Sequence, residues 1–199
     1  MCYDYETSRN TFILGTIGTI INLLKYKNNS IFTVLNIFWF FVISMQFWEA
    51  LIWKDYKCKL TSKLAMINNI IQPLILLLVF LIPNYQNKNK SLIYFCTIIY
   101  ILYISRYFKK DYVCIRKPSG IHLKWWDKYG TILYLSLSIF LFKILYSTKI
   151  ANTQIGLFIG SLVIGYALAK NKKKSIGSIW CWVAAFTPYL NNYIFSKLI

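Results

Sequence analysis

Within Met45-Gln46-Phe47-Trp48-Glu49-Ala50-Leu51-Ile52-Trp53 a carboxylate is embedded in a long apolar run. Spacings of i, i+3 and i+7 put Gln46, Glu49 and Trp53 on one face of a helix. The next apolar run contains Asn68-Asn69-Ile70-Ile71-Gln72-Pro73, in which Asn68 and Gln72 share a face at i and i+4. A carboxylate among amides in a medium of low dielectric is costly to keep ionised, the property that proton coupling or cation capture exploits. The same residues suit a plainer role. Glu49 would then pair with Lys54 or Lys63 near a helix end, while the amides hold helices together.

Other reactive side chains are sparse. The single His122 cannot supply a multi-histidine metal site, and acid/base work by His122 with Asp127 competes with an ordinary surface role. The five cysteines are an odd number without CxxC spacing, so neither zinc nor a disulfide framework is implied and reduced thiols are expected. No Gly-rich phosphate loop, nucleophile elbow or kinase signature is present. The residues therefore assign no catalytic group, metal ligand or cofactor.

Composition dictates the elements that must position these groups. The chain has 199 residues, 57% of them hydrophobic, 19% aromatic and 15% charged, where a soluble domain has about a quarter charged. Disorder is excluded by the aromatic and β-branched content. A β-barrel is disfavoured because the apolar runs are continuous rather than alternating. What remains is an all-α, polytopic transmembrane helix bundle. At roughly 20 residues per crossing, about seven spans are expected in a single transmembrane domain, at about 11–24, 31–53, 64–82, 91–105, 131–147, 150–169 and 175–195. The first, fourth and fifth are short enough that six spans remain an alternative. The opening ten residues carry Asp4 and Glu6 and no basic run, which argues against a cleaved signal.

The net charge of +17 would suit a nucleic-acid binder in a soluble protein, but here it belongs to loops, so no specific nucleic acid is expected. Sixteen of the 23 Lys and Arg fall in the N-terminus, 54–63, 106–128 and 170–174; six fall in the alternate set, and Lys143 lies within a span. Cytoplasmic loops retain positive charge, so the N-terminus is expected in the cytosol. The basic loop 106–130, with Tyr107, Phe108, Tyr112, Trp125 and Trp126, is expected to be amphipathic and to lie on the membrane, drawn to anionic cytoplasmic-leaflet lipids.

Backbone-breaking and small residues add further points. Pro73 and Pro188 each sit well inside an expected span, where each frees a carbonyl one turn earlier and kinks the helix. With the fourth span as a linker, they occupy the third place in two three-helix halves, a 3+1+3 arrangement. Gly156 and Gly160 form GxxxG, continued by Ser161 and Gly165, the signature of close helix packing. Self-association of the chain is compatible with it.

Met45-Gln46 with Glu49 and Trp53, Gln72-Pro73, Arg116-Lys117-Pro118-Ser119 with His122-Leu123 and Trp125, and Gly177-Ser178-Ile179-Trp180-Cys181-Trp182 together resemble an uncharacterised family of multi-pass membrane proteins of giant DNA viruses. The wealth of amino acids with AT-rich codons suits a mimivirus-like genome. The resemblance implies a viral membrane protein of the host or virion membrane and no particular reaction. The layout is also similar to PQ-loop and SWEET transporters, although Gln72-Pro73 reverses their Pro-Gln dipeptide and the charge count places the N-terminus on the other side.

Three functional readings follow. The first is a cytosol-facing polar pocket formed by Gln46, Glu49, Asn68, Asn69, Gln72, Pro73, His122, Trp125, Trp180, Trp182 and Pro188. There Glu49 is the principal charge, oriented by Gln46, Asn69 and Gln72, and the pocket binds or transports a small polar or cationic solute or a lipid headgroup. The second is a non-catalytic scaffold of viral or virus-remodelled membranes. The third, a lipid-modifying enzyme, requires His122, Asp127 and Glu49 to converge.

Overall fold

The computed structural model describes residues 4–109, 114–117, 120–123, 128–168 and 179–197, with side chains outside 110–128. The chain is an all-α bundle. Helix α1 covers Tyr5–Lys25, α2 Ser30–Ile43, α3 Met45–Trp53 and α4 Cys58–Ile75. Helix α5 covers Lys90–Ser105, α6 Lys128–Leu145 and α7 Thr148–Leu168. Residues 179–184 are helical (α8), and α9 is Thr187–Phe195. Short 3₁₀ turns extend α4 over Leu76–Leu81 and α5 over Arg106–Lys109.

Local chemistry explains the boundaries. Asp4 caps α1 by accepting the Thr7 amide hydrogen at 2.7 Å, and Asn29 caps α2 by accepting that of Phe32 at 3.1 Å, each satisfying a donor that the first turn cannot. The α3–α4 turn places Asp55 and Lys57 at positive φ. Pro73 removes an N–H from the α4 ladder, and three residues after it, from Leu76, the helix tightens to 3₁₀.

Counting Ser30–Trp53, Cys58–Leu81, Lys90–Lys109 and Thr148–Leu168, four helices among the described residues are long and apolar enough to cross a membrane, with Tyr129–Leu145 a shorter apolar helix. Their outer faces are greasy. Leu92, Phe95, Ile98 and Leu102 are exposed on α5, as are Val163 and Ile164 on α7, a pattern suited to a hydrocarbon environment. The inside is aromatic. Phe38 meets Phe142 edge-on at 5.2 Å, Phe158 meets Trp180 at 5.3 Å, and Phe32 stacks on Phe195 at 3.9 Å.

The second expected span, 31–53, coincides with the apolar stretch Ser30–Trp53, whose ladder breaks at Ser44 between α2 and α3, and the first helix begins at Tyr5, ahead of the span expected from about residue 11. Other expectations are corrected. The 106–130 connection is not wholly a loop: β1 (Cys114–Lys117) and β2 (Gly120–Leu123) pair antiparallel, with Ile115 opposite His122, and the hairpin backbone lies beside α3 and α4. Pro188 does not kink a helix interior. The chain turns at 185–186, and Pro188 sits in the first turn of α9, where its missing N–H costs nothing. Cys58 is disulfide-bonded rather than reduced, whereas Cys96 and Cys181 are free thiols.

The glycines of α7 divide. A Cβ on Gly165 would stand 3.0 Å from Trp180 Cα, so this glycine permits close approach of α8. One on Gly156 or Gly160 would have nothing within 4 Å, so the GxxxG face is open among the described residues.

Candidate functional site

The break at Ser44 interrupts the helical ladder between α2 and α3, and α4 supplies donors there. Asn68 Nδ2 and Gln72 Nε2 each donate to the Phe41 carbonyl oxygen at 3.0 Å. Ser44 Oγ lies 2.8 Å from that oxygen and 2.9 Å from Asn68 Oδ1. With both carbonyl lone pairs taken by the amides, its single hydrogen goes to Asn68. Gln72 is completed by Tyr134 of α6, whose hydroxyl donates to Gln72 Oε1 at 2.6 Å. In the segment loosened by Pro73, the Tyr100 hydroxyl donates to the Ile70 carbonyl at 2.9 Å. Asn68, Gln72, Tyr100 and Tyr134 are all buried.

Glu49 follows one and a half turns after the break. It is 1% exposed and is the only charged side chain buried among the described residues. Gln46 Nε2 donates to its Oε2 at 3.3 Å, an i, i+3 contact on the inner face of α3. Across the bundle, the Cys181 thiol of α8 lies within electrostatic reach of both Glu49 and Tyr134. Trp180 closes the side, donating its indole hydrogen to Ser161 Oγ at 2.8 Å and meeting Tyr134 edge-on at 5.9 Å.

The bundle end that carries Glu49 also carries the start of α1. The Lys54 ammonium sits 4.3 Å above the Tyr5 ring, and this cation beside the phenol holds Tyr5 below its usual range. Asp4 is held below the ordinary carboxylate value chiefly by the Thr7 backbone amide.

Of the residues expected at the pocket, Gln46, Glu49, Asn68, Gln72, Pro73 and Trp180 line this inner region. Asn69 is half-buried and takes no part in its hydrogen bonds, so the expectation that it orients Glu49 is corrected. Trp182 is half-buried and packs on the exposed Phe186 at 5.7 Å, outside the cluster. Pro188 is also elsewhere, its carbonyl accepting from Asn22 Nδ2 at 2.6 Å. The His122 backbone is in β2, while its side chain, Trp125 and Asp127 lie outside the described side chains. No group of three or more His, Cys, Asp or Glu gathers among the described residues.

Sequence reasoning missed Ser44, Tyr100, Tyr134 and Cys181, and also a second polar layer formed by Asn22, Asn36, Gln154 and Asn191, all fully buried. Asn22 lies about 27 Å along α1 from its Asp4 cap at 1.5 Å per residue, so this layer occupies the opposite half of the bundle. Amides interrupting apolar runs were the available signal for it. Comparison with family models, with curated proteins and with solved structures finds no match.

Proposed function

We propose that the chain is a multi-pass membrane protein whose Glu49 pocket binds, and passes across the bilayer, a small polar or cationic solute, with a lipid headgroup as the other ligand of the same chemistry. The observation that carries this reading is the placement of one carboxylate, 1% exposed, inside the bundle beside Gln46. Burying a charge costs several kcal/mol unless something compensates it, and intramembrane acids are characteristically sited on solute or proton paths. The lysine-rich ends at 54–63 and 170–174 support a cytosolic opening and a cytosolic N-terminus, and the same basic segments supply contacts to anionic lipid.

The test is uptake of methylammonium and of choline into proteoliposomes. Wild type should accumulate at least one of them over empty vesicles, and Glu49→Gln should abolish the difference while remaining folded. Equal uptake by wild type and variant would remove the reading.

A second reading, a scaffold of viral or virus-remodelled membranes, is favoured by one observation. The open face at Gly156 and Gly160 suits packing of a second copy against α7. Loss of self-association in Gly156→Leu, with unchanged behaviour of Glu49→Gln, would select it.

A further inference from the structure

The second polar layer contains hydrogen-bonding capacity of fixed sign. Asn22 Nδ2 donates to the Pro188 carbonyl at 2.6 Å and to Asn36 Oδ1 at 3.2 Å. A carbonyl only accepts, so Asn22 must present its NH₂ there, and Asn36 must then turn its oxygen toward it. On the other side, Trp39 Nε1 donates to Gln154 Oε1 at 2.7 Å, and Gln154 Nε2 donates to Asn191 Oδ1 at 2.9 Å. An indole N–H only donates, which orients Gln154 and through it Asn191. Neither amide chain can flip to absorb its remainder.

That remainder is Asn22 Oδ1, Asn36 Nδ2 and Asn191 Nδ2, each buried without a partner among the described residues. Asn191 follows Pro188 by one turn of α9 and shares its side of the helix, and α9 packs on α1 and α2. The three side chains therefore gather where α1, α2 and α9 meet, with Gln154 of α7 closing the group. Two donors and one acceptor suit neither ion. An anion would face Asn22 Oδ1, and a cation would face two NH₂ groups. They match a neutral oxygen that accepts twice and donates once.

We propose that Asn22, Asn36 and Asn191 form a binding site for a hydroxyl oxygen, that of water or of a small alcohol, which accepts from Asn36 and Asn191 and donates to Asn22. Buried water characteristically makes about three such bonds, and a membrane interior offers an unmatched amide no solvent partner. The site uses none of the Glu49 cluster and is independent of what that cluster carries.

The test places the full chain, with ¹⁵N-labelled asparagine, in lipid nanodiscs and reads magnetisation transfer between side-chain NH₂ protons and solvent, first in water and then with glycerol added. Asn36→Ala and Asn191→Ala assign the two NH₂ pairs. Should either variant not fold, uniform labelling of the wild type assigns them through the backbone. We expect both pairs to show contact with one long-lived solvent proton. Persistence of that contact in glycerol identifies water, and its replacement by contact with glycerol protons identifies an alcohol. Absence of contact from both pairs, or contact at one only, would overturn the shared site.

Discussion

Tyr134 donates its hydroxyl hydrogen to Gln72 Oε1 at 2.6 Å, and the same Gln72 passes an amide hydrogen to the Phe41 carbonyl at 3.0 Å. One side chain thus ties α6 to the break between α2 and α3. Tyr134→Phe leaves Gln72 Oε1 buried and unmatched and should destabilise the bundle by about 1–2 kcal/mol. Gln72→Leu should cost less in the Tyr134→Phe background than it does in wild type. Unfolding of both variants and the double variant in mixed micelles measures this. An additive cycle would mean that the hydrogen bond does not couple them.

Two glycines nine positions apart on α7 should respond differently to the same methyl group. In Gly165→Ala the new Cβ stands 3.0 Å from Trp180 Cα and 3.1 Å from its nitrogen, both backbone atoms. The expected cost is about 1–3 kcal/mol as α8 is pushed away. Gly156→Ala meets open space and should leave stability unchanged or slightly raised. Thermal unfolding followed by tryptophan fluorescence, which senses Trp180, compares them.

Acid should weaken the start of α1. The Asp4 carboxyl is held below the ordinary carboxylate value by the Thr7 amide hydrogen. A depressed value in the folded state means that the contribution is complete above the unfolded-state value and vanishes as pH falls through the folded one. Asp4→Ala should lose about 1 kcal/mol of helix stability at neutral pH, and its deficit against wild type should close in acid. Asp4→Asn, which caps as well, should remove the pH dependence and keep the stability. Amide hydrogen exchange in the first turn of α1 at neutral and acid pH reads all three.

Stability and activity should part company at Glu49. Replacing a buried carboxylate by its neutral isostere removes a desolvation cost, so Glu49→Gln should unfold no earlier than wild type while losing methylammonium or choline uptake. Early unfolding of Glu49→Gln would instead assign the carboxylate to the framework.

The helical plan was legible because continuous apolar runs without alternation leave few alternatives, and Gln46 with Glu49 was legible from their i, i+3 spacing within one run. Trp180 was found among its neighbours, but Trp182 was not separable from it, since residues two apart point to different sides of a helix and neither composition nor spacing says which side is inside. The hinge at Ser44 escaped because neither proline nor glycine marks it. Its stability comes from Asn68 and Gln72, 24 and 28 residues later. Pro188 was misread because a proline inside an apolar run signals a kink or a fresh helix start equally well, and only the turn at 185–186 decides. The four-amide layer draws one member from each of four helices, so no local pattern could gather Asn22, Asn36, Gln154 and Asn191.

The two amides that grip the Phe41 carbonyl act as a splint across the Ser44 joint. The rod carrying Glu49 is therefore stiffened where its own ladder fails. At the elbow between α8 and α9, main-chain bonds from Ala185 and Phe186 bridge the turn. Bending at that elbow would move α8, and Cys181 with it, relative to α9 and leave Glu49 in place.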